Sequence, residues 1–198
     1  MNGASAAKPP LTRPSKALIA EEIKRRERSK AFREAIWNAA GTLIVVAAVS
    51  VLLSTLLVPV LRVYGESMLP TLRDGEIVVS FKTGNFERGD IIAFYYNNKA
   101  LLKRVIAVSG DWVDIDENGV VSVNGEVLDE PYAPEKSLGK CDVELPYQVP
   151  DGRWFVMGDH RLTSVDSRAS SIGPVSDEQI IGEIALRIWP LNAFGQVK

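Results

Sequence analysis

The chain has 198 residues, 46% of them hydrophobic, with 25 acidic and 23 basic side chains and a formal charge of −2. That length admits one domain or two. Cys141 is the only cysteine, which excludes an intrachain disulfide and any metal site built from several cysteines.

The charge is unevenly spread. Residues 1–34 hold nine Lys/Arg against four Glu, whereas residues 62–198 hold 14 basic and 21 acidic side chains, about −7, a balance that argues against nucleic acid as a partner. Residues 1–16 are small, polar and proline-containing and are expected to be disordered. Residues 17–34 are rich in helix formers, and the basic tail 1–34 suits a cytoplasmic position against anionic lipid.

Residues 35–61 then run without a charged side chain. About 20 helical residues cross the hydrocarbon core of a bilayer, so this segment is expected to be a single transmembrane helix. It begins too far into the chain, and runs too long, for a typical cleavable signal. The preceding basic excess orients it with the N-terminus inside, which makes residues 62–198 an extracytoplasmic domain on a plasma-membrane anchor.

Beyond Tyr64 the pattern changes to short β-like runs bounded by Gly, Asn, Asp and Pro. Strands are predicted over Glu76–Phe81, Asp90–Tyr95, Ala100–Val108, Trp112–Ile115, Val120–Val123, Trp154–Met157 and Ile180–Ile188, with turns at Asp116–Gly119 and Asn124-Gly125. An antiparallel, mainly β domain follows. The segment Asp129–Asp151, with four prolines and no periodicity, reads as a long surface excursion.

Three polar features stand out. Ser67 sits in Gly65-Glu66-Ser67-Met68-Leu69-Pro70-Thr71-Leu72, six residues past the apolar run and so within about 20 Å of its end even if fully extended. Lys103 interrupts an apolar strand, and an amine there loses hydration, which lowers its pKa as a general base requires. Gly158-Asp159-His160-Arg161 and Asp166-Ser167-Arg168 form a third cluster, in which Asp166 can pair with Arg168 and Asp159 with Arg104. Taken singly, Ser67 is equally a turn residue, Lys103 a snorkelling side chain and the third cluster an exposed loop. His160 is the only histidine, so a Ser-His-Asp triad would have to use it, and one histidine without cysteine partners makes a poor metal site.

In order along the chain, the anchor, Gly65–Leu72, Arg88-Gly89-Asp90-Ile91-Ile92, Lys103–Ala107 with Gly110-Asp111, Gly158–Arg168 and Ile188-Trp189-Pro190-Leu191 resemble bacterial type I signal peptidase, a Ser/Lys serine peptidase family. The resemblance covers roughly residues 35–195. It implies a largely antiparallel β catalytic core carrying a β-rich excursion, and a membrane-bound endopeptidase that removes signal peptides from secretory preproteins without metal or cofactor. It further implies Ser67 as nucleophile and Lys103 as base. Ser164 would orient the amine, Asp166 with Arg168 and Asp159 with Arg104 would support the site, and the Ser67 N–H would serve the oxyanion hole. Substrate contacts fall to Met68, Leu69 and Pro70, in shallow apolar pockets suited to the small residues before a signal-peptide cut. The substrate segment would pair with an exposed strand edge.

Two positions depart from the family pattern: His160 replaces the usual asparagine, and Gly65 stands where some members place a serine that helps hold the oxyanion. Two rival readings stand beside it, a sortase-like enzyme using Cys141 and His160, and a non-catalytic anchored β module.

Overall fold

The computed structural model describes residues 15–82 and 84–197, in two compact units that divide after Leu52. The disorder expected for residues 1–16 lies outside the described residues except at Ser15 and Lys16, and Lys16 already begins a helix. Helix α1 runs over Lys16–Leu57. Leu43, Ile44, Val45 and Val46, four successive positions that point all around its axis, are each exposed. A helix apolar on every side and buried by none of its own chain has the surface of a lipid-facing span. Among the described residues it is the one helix long and apolar enough to cross a membrane.

The helix ends four residues before the end of the uncharged run. The Val58 N–H still donates to the Ser54 carbonyl at 2.9 Å, but Pro59 has no N–H and disfavours the helical conformation of the residue before it. Val60 and Leu61, expected in the helix, instead begin β1 (Val60–Arg62), which pairs with β2 (Ile77–Phe81). An apolar run by itself does not distinguish helix from strand.

The remaining strands are β3 (Ile91–Tyr96), β4 (Lys99–Ala107), β5 (Trp112–Ile115), β6 (Val121–Val123), β7 (Glu126–Val127), β8 (Tyr147–Gln148), β9 (Arg153–Met157), β10 (Val175–Ser176), β11 (Ile180–Trp189) and β12 (Gly195–Gln196). They form an eight-stranded sheet ordered β1-β2-β11-β3-β4-β9-β10, with β12 on β11, and a four-stranded sheet ordered β7-β6-β5-β8. Every pairing is antiparallel. All seven predicted strands are present with ends shifted by two residues or fewer. The five others have two or three residues each, too few to carry a period-2 signal. Hairpin β3–β4 closes through Asn97 and Asn98, both at positive φ (47° and 59°), as a two-residue turn of matching twist requires.

Strand β4 is the hub. Leu102 joins a core with Val63, Met68, Leu72 and Ile184; Val105 joins a second with Ile92, Phe94 and Val156; Ile106 joins a third with Val113, Val123 and Phe155 beneath the small sheet. From Leu102 to Ala107 every residue is buried. Lys103 and Arg104 therefore sit where neither face of the strand meets water. The excursion Asp129–Asp151 is less superficial than its composition suggests, since Glu130 and Ala133 are buried.

Strand β11 runs between β2 and β3, and at Gly182 the β2 backbone comes so close that a Cβ would strike the Phe81 carbonyl. Gly182→Ala should therefore lower unfolding stability by about 1–3 kcal/mol, the usual range for overpacking, measured by urea unfolding of the full chain in detergent.

Candidate active site

Ser67 lies in the loop between β1 and β2. Four backbone bonds shape this loop: Val63 N–H to Glu76 O, Gly75 N–H to Val63 O, Leu69 N–H to Glu66 O and Leu72 N–H to Met68 O. Met68 and Leu72 plug into the first core, so the half-buried Ser67 just before them is held by packing as well as by hydrogen bonds. Met68, expected to touch substrate, is 2% exposed and spends most of its surface on that core, although its edge borders a small cavity beside Ser67. Leu69 is half-buried and Pro70 exposed.

The Lys103 amine reaches Ser67 Oγ at 2.8 Å and donates to its neighbour's carbonyl, Leu102 O, at 3.0 Å. Burial lowers its pKa from the ordinary lysine value to about 8, against the pull of the Asp166 and Asp159 carboxylates and with a smaller push from Arg168. The side chain is 3% exposed. Hydrogen-bond reach to a hydroxyl and a depressed pKa are the two properties required of a lysine base.

Around this pair, three buried arginines each hold a carboxylate. Arg104 grips Asp159 through Nε and Nη2 at 2.9 and 2.7 Å and donates to Gly89 O, while Thr71 bonds the same carboxylate. Arg168 grips Asp166 at 2.8 and 2.9 Å. Both pairs match the sequence expectation. The third does not appear in it: Arg161, with no exposure, holds Glu130 of the excursion at 2.6 and 3.1 Å and donates from Nε to Gly158 O. Burial alone would raise the Glu130 pKa, but Arg161 and Lys136 hold it below the usual value. From the excursion too, the Tyr132 ring packs 4.0 Å from the Arg104 guanidinium, and burial pushes its phenol pKa up. The sole hint in the sequence was a pair of acidic residues, Asp129-Glu130, inside an otherwise turn-rich segment.

The loop after β9 closes the site. His160 N–H donates to Ser67 O at 3.1 Å, and Gly158 N–H donates to Asp166 at 3.0 Å. A Cβ at Gly158 would collide with both the Ser67 carbonyl and the Ser164 hydroxyl. Ser164 Oγ is therefore beside the Ser67 backbone. Buried, it has no hydrogen-bond partner among the described residues. Gly65 has φ +83°, its N–H is bound to Asp74 at 2.8 Å, and open space lies where a side chain would project.

His160 presents its backbone, not its ring, to Ser67: ring Nδ1 bonds Thr163 Oγ1 at 2.7 Å and Nε2 faces Glu135 at 3.9 Å. Cys141 is half-buried, and burial raises its thiol pKa, the reverse of what an activated nucleophile needs.

The sequence pattern of the family described as signal peptidase, peptidase S26, matches residues 36–189. Signal peptidase IB of Staphylococcus aureus (strain COL) is 39% identical over 150 residues, spanning 66% of this chain and 77% of that protein. Signal peptidase I of Bacillus amyloliquefaciens is 33% identical over 175 residues, spanning 82% of this chain and 90% of that protein. A crystal structure of a signal peptidase I from Enterococcus faecalis V583 is 28% identical, with a TM-score of 0.43, covering 50% of this chain and 96% of that one.

Two variants test this geometry. Gly158→Ala should push the nucleophile segment away from the amine, and a misplacement of about 1 Å costs on the order of 100-fold in turnover; peptide-cleavage kinetics will read it. Glu130→Ala strands the Arg161 charge in the interior, and breaking one side of a buried pair costs about 3–5 kcal/mol, read by urea unfolding.

Proposed function

The chain belongs to the signal peptidase family, peptidase S26, and is a serine peptidase that removes signal peptides; from that premise we propose that Ser67 and Lys103 are its catalytic dyad, working at a membrane surface. The observation that carries this reading is the 2.8 Å contact between a buried amine of lowered pKa and a hydroxyl on a packed loop.

The neutral amine accepts the Ser67 Oγ proton as the oxygen attacks the scissile carbonyl. The resulting ammonium passes that proton to the leaving amine, and an acyl-enzyme remains on Ser67. The amine, neutral again, takes a proton from the water that attacks the ester and returns it to Ser67 Oγ as the acid product departs. The Ser67 N–H faces the developing oxyanion. With glycine at 65, no side-chain hydroxyl assists from that position, and backbone or water completes the hole. We assign to Ser164 Oγ, which is buried and has no hydrogen-bond partner among the described residues, the role of accepting from the ammonium and steering the amine. Arg104–Asp159 and Arg168–Asp166 keep β4 and the loop after β9 in register, so that amine and hydroxyl stay within reach. The scheme uses no metal or cofactor, because the amine supplies the base and the serine ester carries the intermediate.

The small cavity of about 50 Å³ lined by Val63, Gly65, Ser67, Met68, Leu101 and Leu102 suits the small side chains that precede a signal-peptide cut. Residues 1–34 are basic and helix α1 is bilayer-length, which supports a cytoplasmic N-terminus and an extracytoplasmic peptidase domain. Secretory preproteins reach such a site while their own apolar segments lie in the same bilayer.

Three outcomes are expected. Ser67→Ala and Lys103→Arg should each abolish cleavage of a model preprotein by the detergent-solubilised chain, since guanidinium stays protonated, whereas His160→Ala and Cys141→Ser should retain it; full cleavage by Lys103→Arg overturns the dyad. Because the neutral amine is the active form, kcat/KM should rise about tenfold per pH unit up to a pH of about 8 and level off above it. Stability should show the opposite side of the same shift. Between about pH 8 and pH 10.5 the unfolded chain holds a lysine proton that the folded chain lacks, so stability rises with pH across that window and carries the full burial penalty below it. Lys103→Met removes the penalty and should stabilise the protein at pH 7 by up to about 3 kcal/mol, the gain shrinking as the pH approaches 10; urea unfolding at both pH values checks it.

A further inference from the structure

Ser67 borders the small cavity described above, its carbonyl accepts the His160 N–H, and His160 forms a wall of another cavity of about 220 Å³. This larger one is lined by Leu69, Pro70, Pro134, Glu135, Asp159 and His160, residues brought together from the nucleophile loop, the excursion and the loop after β9. An extended chain crossing Ser67 has one half on each flank. If the small cavity receives the signal-peptide side, the larger one receives the residues that follow the cut.

The charges around the larger cavity are not balanced. Asp159 is 1% exposed and its carboxylate is spent on Arg104, so it offers no free charge. The Glu135 side chain is 79% exposed and, among the described residues, has only the His160 ring within ion-pair distance, at 3.9 Å. Ring Nδ1 lies 2.7 Å from Thr163 Oγ1, and the 3.9 Å between Nε2 and Glu135 is beyond hydrogen-bond distance, so the exposed carboxylate stays open to a further partner. Beside that negative charge, Leu69, Pro70 and Pro134 give the cavity an aliphatic lining. An apolar lining beside an anionic group fits a side chain with an aliphatic stem and a cationic tip.

We propose that this cavity is a subsite for a lysine or arginine side chain just after the scissile bond, with Glu135 setting the preference. The assignment rests on the Ser67–Lys103 reading. It makes the excursion a reader of substrate as well as a support for the buried arginines.

The test uses the full-length enzyme in detergent with preprotein-derived peptides that differ only in the first two residues after the cut, carrying alanine, lysine or glutamate. At low ionic strength kcat/KM should favour lysine over glutamate by about two- to fivefold, the range open to exposed ion pairs. Glu135→Gln should bring that ratio near one, Glu135→Lys should reverse it, and high salt should flatten it in the wild type. Thermal melts of both variants confirm folding, and the isosteric Gln variant keeps the comparison available if the Lys variant is unstable. A lysine-to-glutamate ratio that is the same in all three proteins overturns the subsite, and so does a wild-type preference that glutamine at 135 leaves in place. If the alanine peptide is uncut by the wild type, or is cut equally by Ser67→Ala, the dyad reading itself fails and the subsite with it.

Discussion

Keeping the Lys103 amine out of water is the constraint on which the rest of the site depends. A lysine left in solvent is almost fully protonated at neutral pH and cannot take a proton from serine. Strand β4 meets the constraint by running through three cores at once, so that Leu102, Val105 and Ile106 each face a different apolar cluster and the amine between them has little hydration. The two carboxylates closest in effect, Asp166 and Asp159, pull the pKa back up, and it settles near 8 because desolvation outweighs them. The protein thus carries a standing cost at the residue proposed as its base, a familiar trade between activity and stability.

Those carboxylates are tolerable because each is already spoken for. Asp159, Asp166 and Glu130 are buried, and each is gripped by an arginine that is itself almost fully buried. A buried charge without a partner is severely destabilising, so the pairs act together or fail together. Arg168 donates to the carbonyls of Ser137, Leu138 and Arg161, which ties the loop after β9 to the excursion. The excursion is therefore bound to the loop after β9 by charge-assisted hydrogen bonds. A cavity with one wall from each is a natural place for substrate specificity to reside.

Backbone contacts complete the arrangement. The carbonyl of Ser67 accepts from His160, and the absence of a side chain at Gly158 allows the two loops to touch. This contact explains why a histidine is accommodated where the family usually has asparagine. Position 160 supplies its N–H to the nucleophile segment, and its ring turns away toward Thr163 and Glu135.

Much was legible in the sequence because it depends on local pattern. The uncharged run at 35–61 marked a bilayer-length helix. Alternation and turn residues marked seven strands, and an ordered set of short motifs marked Ser67, Lys103 and two of the three arginine pairs. Helix bounds, five short strands and the Glu130–Arg161 pair were not legible. Pro59 stops the helix inside an apolar run that hydropathy reads as continuous. Two-residue strands exist only because a partner strand lies alongside. Glu130 and Arg161 are 31 positions apart, and only the fold closes that distance to a hydrogen bond. Composition and spacing determined which chemistry the chain carries. Whether the amine meets the hydroxyl, how far its pKa falls and what flanks the cut were decided by tertiary packing, because desolvation and charge pairing depend on neighbours that are remote along the chain.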